Sequence, residues 1–508
     1  MNFRIKKIGK ETPNPFEELL NEVTTGIQNL FPSTKELAHD IVLKSPPDHI
    51  EADYSFSTFS IASLVSQDPI KIATRIVEYF SENPLTIIKK MYAIGPYVNI
   101  EIDRQLYRKK TLNHILNQGK QFGAYYGKNP SIIFINYFSS DFTPRLTLDG
   151  LRTLLVGKAI SECYKLGGNT VRQEYYIADW DTEKVGFLYA LSAWRDEITK
   201  TSDSLQELDN ATVLLRKKII ENEGVKTQLK KYFQELQTGR SNDLRLFKNW
   251  RKIILKNIRK THREVGIRIS SYTTESEFVS LGREVVDDAR KQSLAGYAAN
   301  TQAIIISSFD NTPSLVLQKN DGSVTSFVRH LAYIKCCLSE TRLSTFICVS
   351  AKGQAHVVEA LLTNARRLKY LPMGIKVSTM FINQAEKQDL PLRIDPSLQY
   401  TILRMSLNKE IELESEDHTY YSHIVSFIDQ LTPRTKKTDL INEFSIIKLL
   451  ISFPMIIADV QSSHEPSHLC AYLEEVLQQC EKLSVGQDKL LSKAVAVVLK
   501  NGLNLLTS

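Results

Sequence analysis

Apolar residues recur along the chain at two spacings, and each spacing predicts a different kind of element. In residues 1–122, intervals of three and four predict helices at Phe16–Leu30, Pro69–Phe80 and Leu106–Asn117. Short strand-like runs lie at His39–Lys44 and Ala93–Ile102. We therefore expect a small α/β domain over residues 1–122, followed by a Gly- and Tyr-rich connection.

Apolar runs rich in β-branched residues alternate with helical patterns in the central region. Strands are predicted at Ser131–Tyr137, Val171–Ile177, Ala303–Ser307 and Thr345–Ser350, with a helix at Leu148–Leu166. Strands that alternate with helices favour a doubly wound, parallel α/β sheet of Rossmann type. We assign residues 123–395 to this domain and treat about 190–300 as a helical insertion.

Strand patterns are absent after Pro396, and helical periodicity takes over. Helices are predicted at Leu398–Ser406, Thr419–Leu431, Ile441–Phe453, His468–Leu483 and Lys489–Leu506. We expect residues 396–508 to form an all-α bundle.

Composition and cysteine usage exclude several classes of protein. The 508 residues are 42% hydrophobic and 24% charged, which is typical of a folded chain. The longest apolar stretch, Ile446–Val460, contains Lys448 and Pro454, so no membrane span is predicted. The six cysteines and ten histidines form no metal-binding spacing, which predicts no metal site and a reducing compartment. We expect a cytoplasmic protein, although the basic Met1–Lys10 leaves organelle import open.

Positive charge is concentrated in one segment. Residues 211–263 contain 15 Lys and Arg against 4 Asp and Glu, a local charge of +11 in a chain whose net charge is +7. The remaining residues therefore carry a net charge of −4. A basic block on a mildly acidic protein indicates a polyanionic partner such as nucleic acid.

Two neighbouring segments of the central domain carry a family resemblance. Ile135–Gly157 reads INYFSSDFTPRLTLDGLRTLLVG, and Val171–Asp181 reads VRQEYYIADWD. Together they resemble the class I signature region of arginyl-tRNA synthetases. Further segments resemble that family in the same order along the chain, namely Glu51–Ser55, Ala93–Ile102, Val265–Phe278, Leu317–Tyr333 and the helices from Ser397 onward. The resemblance implies an arginyl-tRNA synthetase-like chain with a DALR-type anticodon-binding domain at 396–508.

The same resemblance implies that the side chains that carry out the chemistry of the family are replaced in this chain. The four positions of its HIGH motif, which places two imidazoles against the ATP phosphates, are Thr147, Leu148, Asp149 and Gly150. Neither histidine is present, and a carboxylate stands where the nucleotide would approach. One alternative for Asp149 is that it caps the following helix. Residual pocket residues would be Ser139, Asp141, Arg145, Asp179, Trp180, Gln354 and His356.

Two other elements of the family also differ. No KMSK-like string occurs in Lys376–Arg393, and Arg145 is the residue that would compensate if the chain were active. The tyrosine and aspartate that the family offers to arginine are replaced by Ser326 and His330. Because a guanidinium prefers a carboxylate partner, we expect a weakened arginine pocket and interpret His330 as a packing or surface residue.

Two regions keep the capacity to bind tRNA. In the predicted helix around Leu244–Arg263, Phe247, Trp250, Ile254 and Ile258 share one face. The opposite face carries Lys248, Lys252, Lys256, Arg259 and Arg263. Such a cationic face would bind phosphates without recognising the nucleotide sequence. The alternative is that the face is only solvated. In the last domain, Tyr400, Arg404, Tyr420, Arg434, Lys436 and Lys437 are candidates for stacking on anticodon bases and holding the RNA backbone, with core packing as the alternative for Tyr400.

Three hypotheses follow from these patterns. The first is a non-catalytic pseudo-synthetase that binds tRNA, with tRNA-Arg as the expected ligand, or that docks a tRNA-modifying enzyme or synthetase. The second is a divergent but active arginine–tRNA ligase. The third is a structural or regulatory protein that binds no RNA. No cofactor is predicted, and ATP would be required only under the second hypothesis.

Overall fold

The computed structural model describes residues 14–32, 41–47, 49–124, 130–139, 146–201, 203–237, 243–309, 313–339, 343–382, 395–404, 419–431, 440–482 and 488–507. The chain divides into two compact units. One unit contains residues 1–123, 423–456 and 472–502, and the other contains 124–422, 457–471 and 503–508. The three domain boundaries inferred from the sequence stay a prediction.

The first unit begins with an antiparallel sheet and its helices. Its elements are α1 (Pro15–Leu30), β1 (Tyr54–Ser57), α2 (Phe59–Val65), α3 (Pro69–Glu82), β2 (Ile88–Ile94), β3 (Tyr97–Ile102) and α4 (Arg104–Gln118). The strand order is β1-β3-β2. The single strand predicted over Ala93–Ile102 is wrong, because Gly95 adopts φ +55° and turns the chain into a β2–β3 hairpin. Of the strand predicted at His39–Lys44, the described part makes only one bridge, between Lys44 and Ser55.

The carboxy-terminal helices supply the rest of this unit and part of the other. They are α14 (Thr419–Gln430), α15 (Leu440–Ile451), α16 (Phe453–Ser463), α17 (Ser467–Lys482) and α18 (Lys489–Leu506). The helical periodicity of the sequence did not predict α16. Pro454 lies in the first turn of α16, where a proline costs no hydrogen bond, so it begins a new helix after α15.

Within the first unit, polar contacts join the two ends of the chain. Arg108 on α4 binds Glu443 at 3.1 Å and Asp488 at 2.6 Å. The side-chain amide of Asn501 on α18 donates to the carbonyls of Gly119 (2.9 Å) and Phe122 (3.0 Å). Residues about 380 positions apart in sequence are therefore held in one core.

The second unit is built on a five-stranded parallel sheet. Its strands are β4 (Ile132–Ser139), β5 (Thr170–Ile177), β6 (Ser271–Thr274), β10 (Thr345–Ala351) and β11 (Lys376–Ile382), in the order β11-β10-β4-β5-β6. The pairings between neighbours are all parallel. Strand β6 lies within the segment that the sequence assigned to a helical insertion, so that assignment misses one strand of the main sheet.

Helices surround this sheet, and a smaller sheet lies beside it. The remaining elements are α5 (Leu148–Leu166), α6 (Gly186–Ala193), α7 (Ser204–Glu221), α8 (Gly224–Gln237), α9 (Leu244–Glu264), α10 (Leu281–Lys291), β7 (Ala295–Tyr297), β8 (Ile304–Ile306), β9 (Leu315–Gln318), α11 (Ser326–Ser339), α12 (Ala355–Arg367) and α13 (Pro396–Arg404). Strands β7, β8 and β9 pair antiparallel. The strand predicted at Ala303–Ser307 therefore exists as β8, but it does not belong to the parallel sheet.

Helix α5 lies in the centre of this unit because most of its side chains are apolar or small. Leu151, Leu154 and Leu155 are fully buried. At Gly157 the missing side chain makes room for the ring of Tyr137 on β4, since a Cβ there would come within 2.2 Å of that ring. The Tyr137 hydroxyl in turn donates to the Gln173 side chain at 2.6 Å.

We expect Gly157→Ala to lower the free energy of unfolding by about 1–3 kcal/mol, because the buried Tyr137 ring would have to move. Chemical denaturation measures the change. Gly296→Ala is the control, since a Cβ at Gly296 meets no atom within 4 Å. Equal effects of the two substitutions would contradict this close contact.

Candidate functional site

The carboxyl ends of β4 and β10 form the topological switch point of the parallel sheet. From β4 the chain continues to β5 on one side, whereas β10 pairs with β4 on the other. Phe138 is in register with Ser350, so both strands end at the same edge. In open α/β sheets, ligands bind in the crevice at this position.

The amino terminus of α5 lies at this edge and carries the four positions of the predicted HIGH-like segment. Thr147 is the N-cap, and its hydroxyl accepts from the backbone N–H of Gly150 at 3.1 Å. Asp149 lies in the first turn. The prediction that Asp149 caps the helix is therefore wrong, since Thr147 has the extended backbone and the short hydroxyl that a cap requires.

Asp149 instead acts on a buried cation one turn later. The Arg152 side chain is 1% exposed. Burial lowers the pKa of the Arg152 guanidinium, and the Asp149 carboxylate opposes that shift. An acid and a base three residues apart on a helix attract each other, so Asp149 stabilises a charge that lies in the protein interior.

Beyond β10, Gln354 and His356 lie at the same edge of the sheet. Gln354 is half-buried and accepts from the hydroxyl of Ser350 at 3.1 Å. His356 is exposed near the start of α12. Ser139 ends β4, and its side chain lies outside the described residues, as do Asp141 and Arg145 entirely.

Asp179 follows β5 at the same edge but is 0% exposed. Its carboxylate accepts from both the backbone N–H and the hydroxyl of Ser276, each at 2.7 Å. Arg251 on α9 donates to that hydroxyl at 2.8 Å. Desolvation raises the pKa of Asp179 to about 7, although the hydrogen bonds from Ser276 oppose the shift. Asp179 therefore joins β5 to the turn after β6 and offers no open face to a ligand.

A buried ion pair lies next to this contact. The Arg329 guanidinium binds Glu275 at 2.6 Å, and the two side chains are 4% and 1% exposed. The same guanidinium donates to the carbonyls of Val324 and Trp180. Trp180 is itself 4% exposed and packs against Phe233 and Phe247.

Of the residues predicted to line a residual pocket, Asp179 and Trp180 thus belong to the core. Sequence reasoning did not single out Arg329. The signal for it was an arginine within the apolar segment Phe327–Cys337, since such a charge requires a buried partner.

His330 is a packing residue, as the sequence led us to expect. Its ring lies 4.2 Å from that of Tyr176 and 4.7 Å from that of Phe138. One ring nitrogen lies 3.0 Å from the carbonyl oxygen of Ser326. Desolvation lowers the pKa of His330, so the imidazole is held neutral among aromatic rings.

Helix α9 has the two faces that its sequence predicts. Its apolar face (Phe247, Trp250, Ile254 and Ile258) is buried, and the five predicted cations Lys248, Lys252, Lys256, Arg259 and Arg263 are exposed. We call these five residues the α9 stripe. Within the described residues, no carboxylate forms an ion pair with any of them, while Arg259 lies over the ring of Tyr272 at 5.1 Å. The stripe is therefore an accessible row of positive charge.

The candidates in the carboxy-terminal region are placed differently. Tyr400 is 0% exposed, and its hydroxyl donates to the Cys470 carbonyl at 3.3 Å. Its ring also lies 6.1 Å from that of Tyr421. Tyr400 therefore cannot stack on a base, which corrects its assignment as an RNA-binding residue. Arg404 is half-buried. The side chain of Tyr420 and all of Arg434, Lys436 and Lys437 lie outside the described residues.

Neither a metal site nor a membrane span is found in the described part of the chain. Its histidine, cysteine and acidic side chains form no group of three or more suited to a metal ion. No described helix is both long and apolar enough to cross a bilayer.

Two family models match the chain. Residues 111–389 match the class I tRNA synthetase (R) catalytic domain, which is more than half of the chain, and residues 17–102 match the arginyl tRNA synthetase N-terminal domain. The chain belongs to the arginyl-tRNA synthetase family.

Curated relatives agree with this family assignment. An arginine–tRNA ligase of Lactobacillus johnsonii is 26% identical over 58% of this chain and 51% of its own length. Arginine–tRNA ligase 2 of Bacillus anthracis is 22% identical over 94% of this chain and 97% of its own length. This member of the arginyl-tRNA synthetase family thus spans about half of the first relative and nearly all of the second.

Two solved structures show the fold. The arginyl-tRNA synthetase of Plasmodium falciparum gives a TM-score of 0.73 at 14% identity, covering 97% of this chain and 98% of its own. The Thermus thermophilus enzyme gives 0.71 at 14% identity, covering 96% and 98%. The predicted fold class, a Rossmann-like core with carboxy-terminal helices, is confirmed.

We expect the stability of the protein to fall as pH rises toward neutrality, because of Asp179. Its pKa is raised from 3.8 to about 7 in the folded state. Between these values the folded chain holds a proton that the unfolded chain has released, so the free energy of unfolding decreases with pH. Asp179→Asn should flatten this dependence, measured as the melting temperature between about pH 5 and pH 8. The exposed Asp287→Asn is the control, and an unchanged slope in Asp179→Asn would contradict the assignment.

Proposed function

We propose that this protein is a tRNA-binding member of the arginyl-tRNA synthetase family that does not activate arginine. The observation that carries the proposal is the amino terminus of α5, where Thr147, Leu148, Asp149 and Gly150 supply no imidazole. The family resemblance of this segment implies that two histidines stand here in active members.

The electrostatics of this terminus support the proposal. A helix amino terminus carries a partial positive charge that favours phosphate. Here Asp149 brings a like charge to the approaching triphosphate, and its attraction to Arg152 holds it in the folded helix. Loss of one donor aimed at developing charge typically costs about 2.7–4 kcal/mol of transition-state stabilisation. Two absent donors and an added carboxylate would leave little activation, so no ATP requirement is proposed.

The arginine side of the pocket supports the same conclusion. The resemblance implies that His330 stands where active members offer a carboxylate to the substrate. His330 is buried between aromatic rings with a lowered pKa. A neutral, enclosed imidazole carries no negative charge and cannot form the bidentate ion pair that a carboxylate forms with a guanidinium.

The α9 stripe supports the RNA-binding part of the proposal. Lys248, Lys252 and Lys256 are spaced four residues apart, which places successive cations about 6 Å apart along the helix. Phosphate contacts of this kind provide affinity without sequence information. Family membership makes tRNA the expected polyanion, with tRNA-Arg as the specific proposal.

One observation favours a second candidate, an active arginine–tRNA ligase. The relatives that match this chain carry that name, and the alignment with the Bacillus anthracis ligase spans 97% of its length. Under this alternative, Arg145 and backbone groups would have to replace the missing imidazoles.

We expect no arginine-dependent exchange of pyrophosphate into ATP, even with tRNA-Arg present, because the α5 terminus lacks donors for the transition state. The assay is run beside an authentic arginyl-tRNA synthetase. Exchange at rates comparable to that enzyme would reject the pseudo-synthetase proposal and favour the ligase.

We also expect tRNA binding to depend on salt, with a slope that reflects the α9 stripe. Replacing Lys248, Lys252 and Lys256 by glutamine should lower the slope of log K against log salt by about 2–3, since each lost phosphate contact removes about 0.7–0.9. Fluorescence anisotropy with labelled tRNA-Arg measures this slope.

Lys291, Lys319 and Lys369 provide a matched triple-glutamine control, because they are exposed lysines of the same unit that lie outside α9. If both triple variants lose the same slope, the effect is one of net charge and the stripe is not the binding surface. If the protein binds no tRNA at all, the RNA-binding proposal fails.

A further inference from the structure

A groove lies in the helical layer formed by α6, α7, α8 and α9, away from the α9 stripe. It has a volume of about 950 Å³ and is partly open to solvent. Its lining extends along α7 from Gln206 to Ile219, a rise of about 20 Å at 1.5 Å per residue. The groove is therefore a trough whose length suits about four turns of a helix.

Mainly apolar side chains, together with Thr212, form the walls of this trough. Leu208, Thr212, Leu215 and Ile219 line it from α7 at helical spacing, and Leu229 lines it from α8. Val213 stands at the rim and is 65% exposed. Rows of side chains three and four residues apart form the ridges and grooves into which a second helix packs.

The charged side chains at the rim are mainly basic. Lys184, Arg216, Lys226 and Lys230 line the groove, against the acidic Glu183 and Asp209. Lys226 pairs with Glu223 at 3.4 Å. Arg216 and Lys230 form no ion pair with any carboxylate in the described part of the chain. An apolar trough with unpaired cations on its rim is complementary to a helix with an apolar face and acidic flanks.

From this complementarity we propose that the groove binds an acidic amphipathic helix of a partner protein. RNA fits it less well, because binding of single-stranded RNA uses exposed aromatic rings on which bases stack. The aromatic residue in the lining is Phe187, which is 4% exposed. This site is separate from the proposed tRNA surface, since none of the five α9 stripe residues lines the groove.

The test uses a synthetic 16-residue helical peptide with leucine at positions i, i+3, i+4 and i+7 and glutamate at the flanking positions. A second peptide has lysine in place of each glutamate, and a labelled 12-nucleotide single-stranded RNA is the third probe. Binding to the full chain is measured by fluorescence anisotropy. We expect the acidic peptide to bind at least about tenfold more tightly than the basic one, a difference of about 1.4 kcal/mol.

Substitutions within α7 locate the binding surface. Val213→Asp and Arg216→Glu should each weaken binding of the acidic peptide by about tenfold or more, since they place a like charge at the rim. Ile220→Asp and Lys217→Glu are the matched controls, because both residues are exposed on the same helix but do not line the groove. All four positions are exposed, so the variants are expected to fold, which circular dichroism checks.

Each outcome decides the proposal. The proposal is supported if the acidic peptide binds tightly, if the groove variants weaken this binding and if the control variants do not. The proposal is overturned if the two peptides bind equally well or if neither binds. It is also overturned if single-stranded RNA displaces the peptide and binds the Arg216→Glu variant less tightly than the unmodified protein. Binding of tRNA-Arg by the groove variants is measured in parallel, so failure of the groove is distinguished from failure of the α9 stripe.

Discussion

The second unit depends on how two buried carboxylates at the end of β5 and β6 are satisfied. Asp179 receives both donors of Ser276, and Glu275 receives the guanidinium of Arg329. Removing one partner of a buried ion pair leaves an uncompensated charge, which typically costs about 3–5 kcal/mol. These contacts come from distant segments, so they fix β5, β6 and α11 relative to one another. The carboxyl edge of the sheet owes its shape to this network.

This constraint separates the architecture of the candidate site from its chemistry. The residues that hold the edge together are internal contacts, and none of them requires a bound nucleotide. The amino terminus of α5 is likewise completed by its own residues, through the Thr147 cap and the attraction between Asp149 and Arg152. Under the proposed function, such a fold keeps its shape without the groups that handle ATP, because the contacts that hold this edge do not include them.

The sequence predicted the parts of the fold that depend on local periodicity. Helices α5, α9 and α18 follow a 3.6-residue repeat, and strands β4, β5 and β10 follow short, continuous apolar runs. It failed where a single residue decides the outcome, as at Gly95, which turns one predicted strand into a hairpin, and at Pro454, which begins α16. Pairing partners are also non-local, so the sequence placed β8 in the wrong sheet and missed β6 and β11.

For the candidate site, the sequence located the segments but not the exposure of their side chains. The two faces of α9 were predicted because helical geometry alone separates Trp250 from Lys252. Tyr400 and Asp179 were proposed to meet ligands, yet both are buried, since burial depends on which segments pack above them. The role of Asp149 was missed for a different reason: capping of the helix and electrostatic attraction to Arg152 are equally compatible with the segment Asp149–Arg152.

The hydrogen bonds between Asn501 and the segment Gly119–Phe122 have a consequence for synthesis of the chain. The amino-terminal sheet leaves the ribosome first, but α15 and α18, which complete its core, are translated several hundred residues later. Contacts of such long sequence separation form slowly, and apolar surface that waits for them is prone to aggregate. The nascent amino-terminal segment therefore lacks the contacts of α15 and α18 while the residues of the parallel sheet are synthesised, and its apolar surface is exposed for that interval.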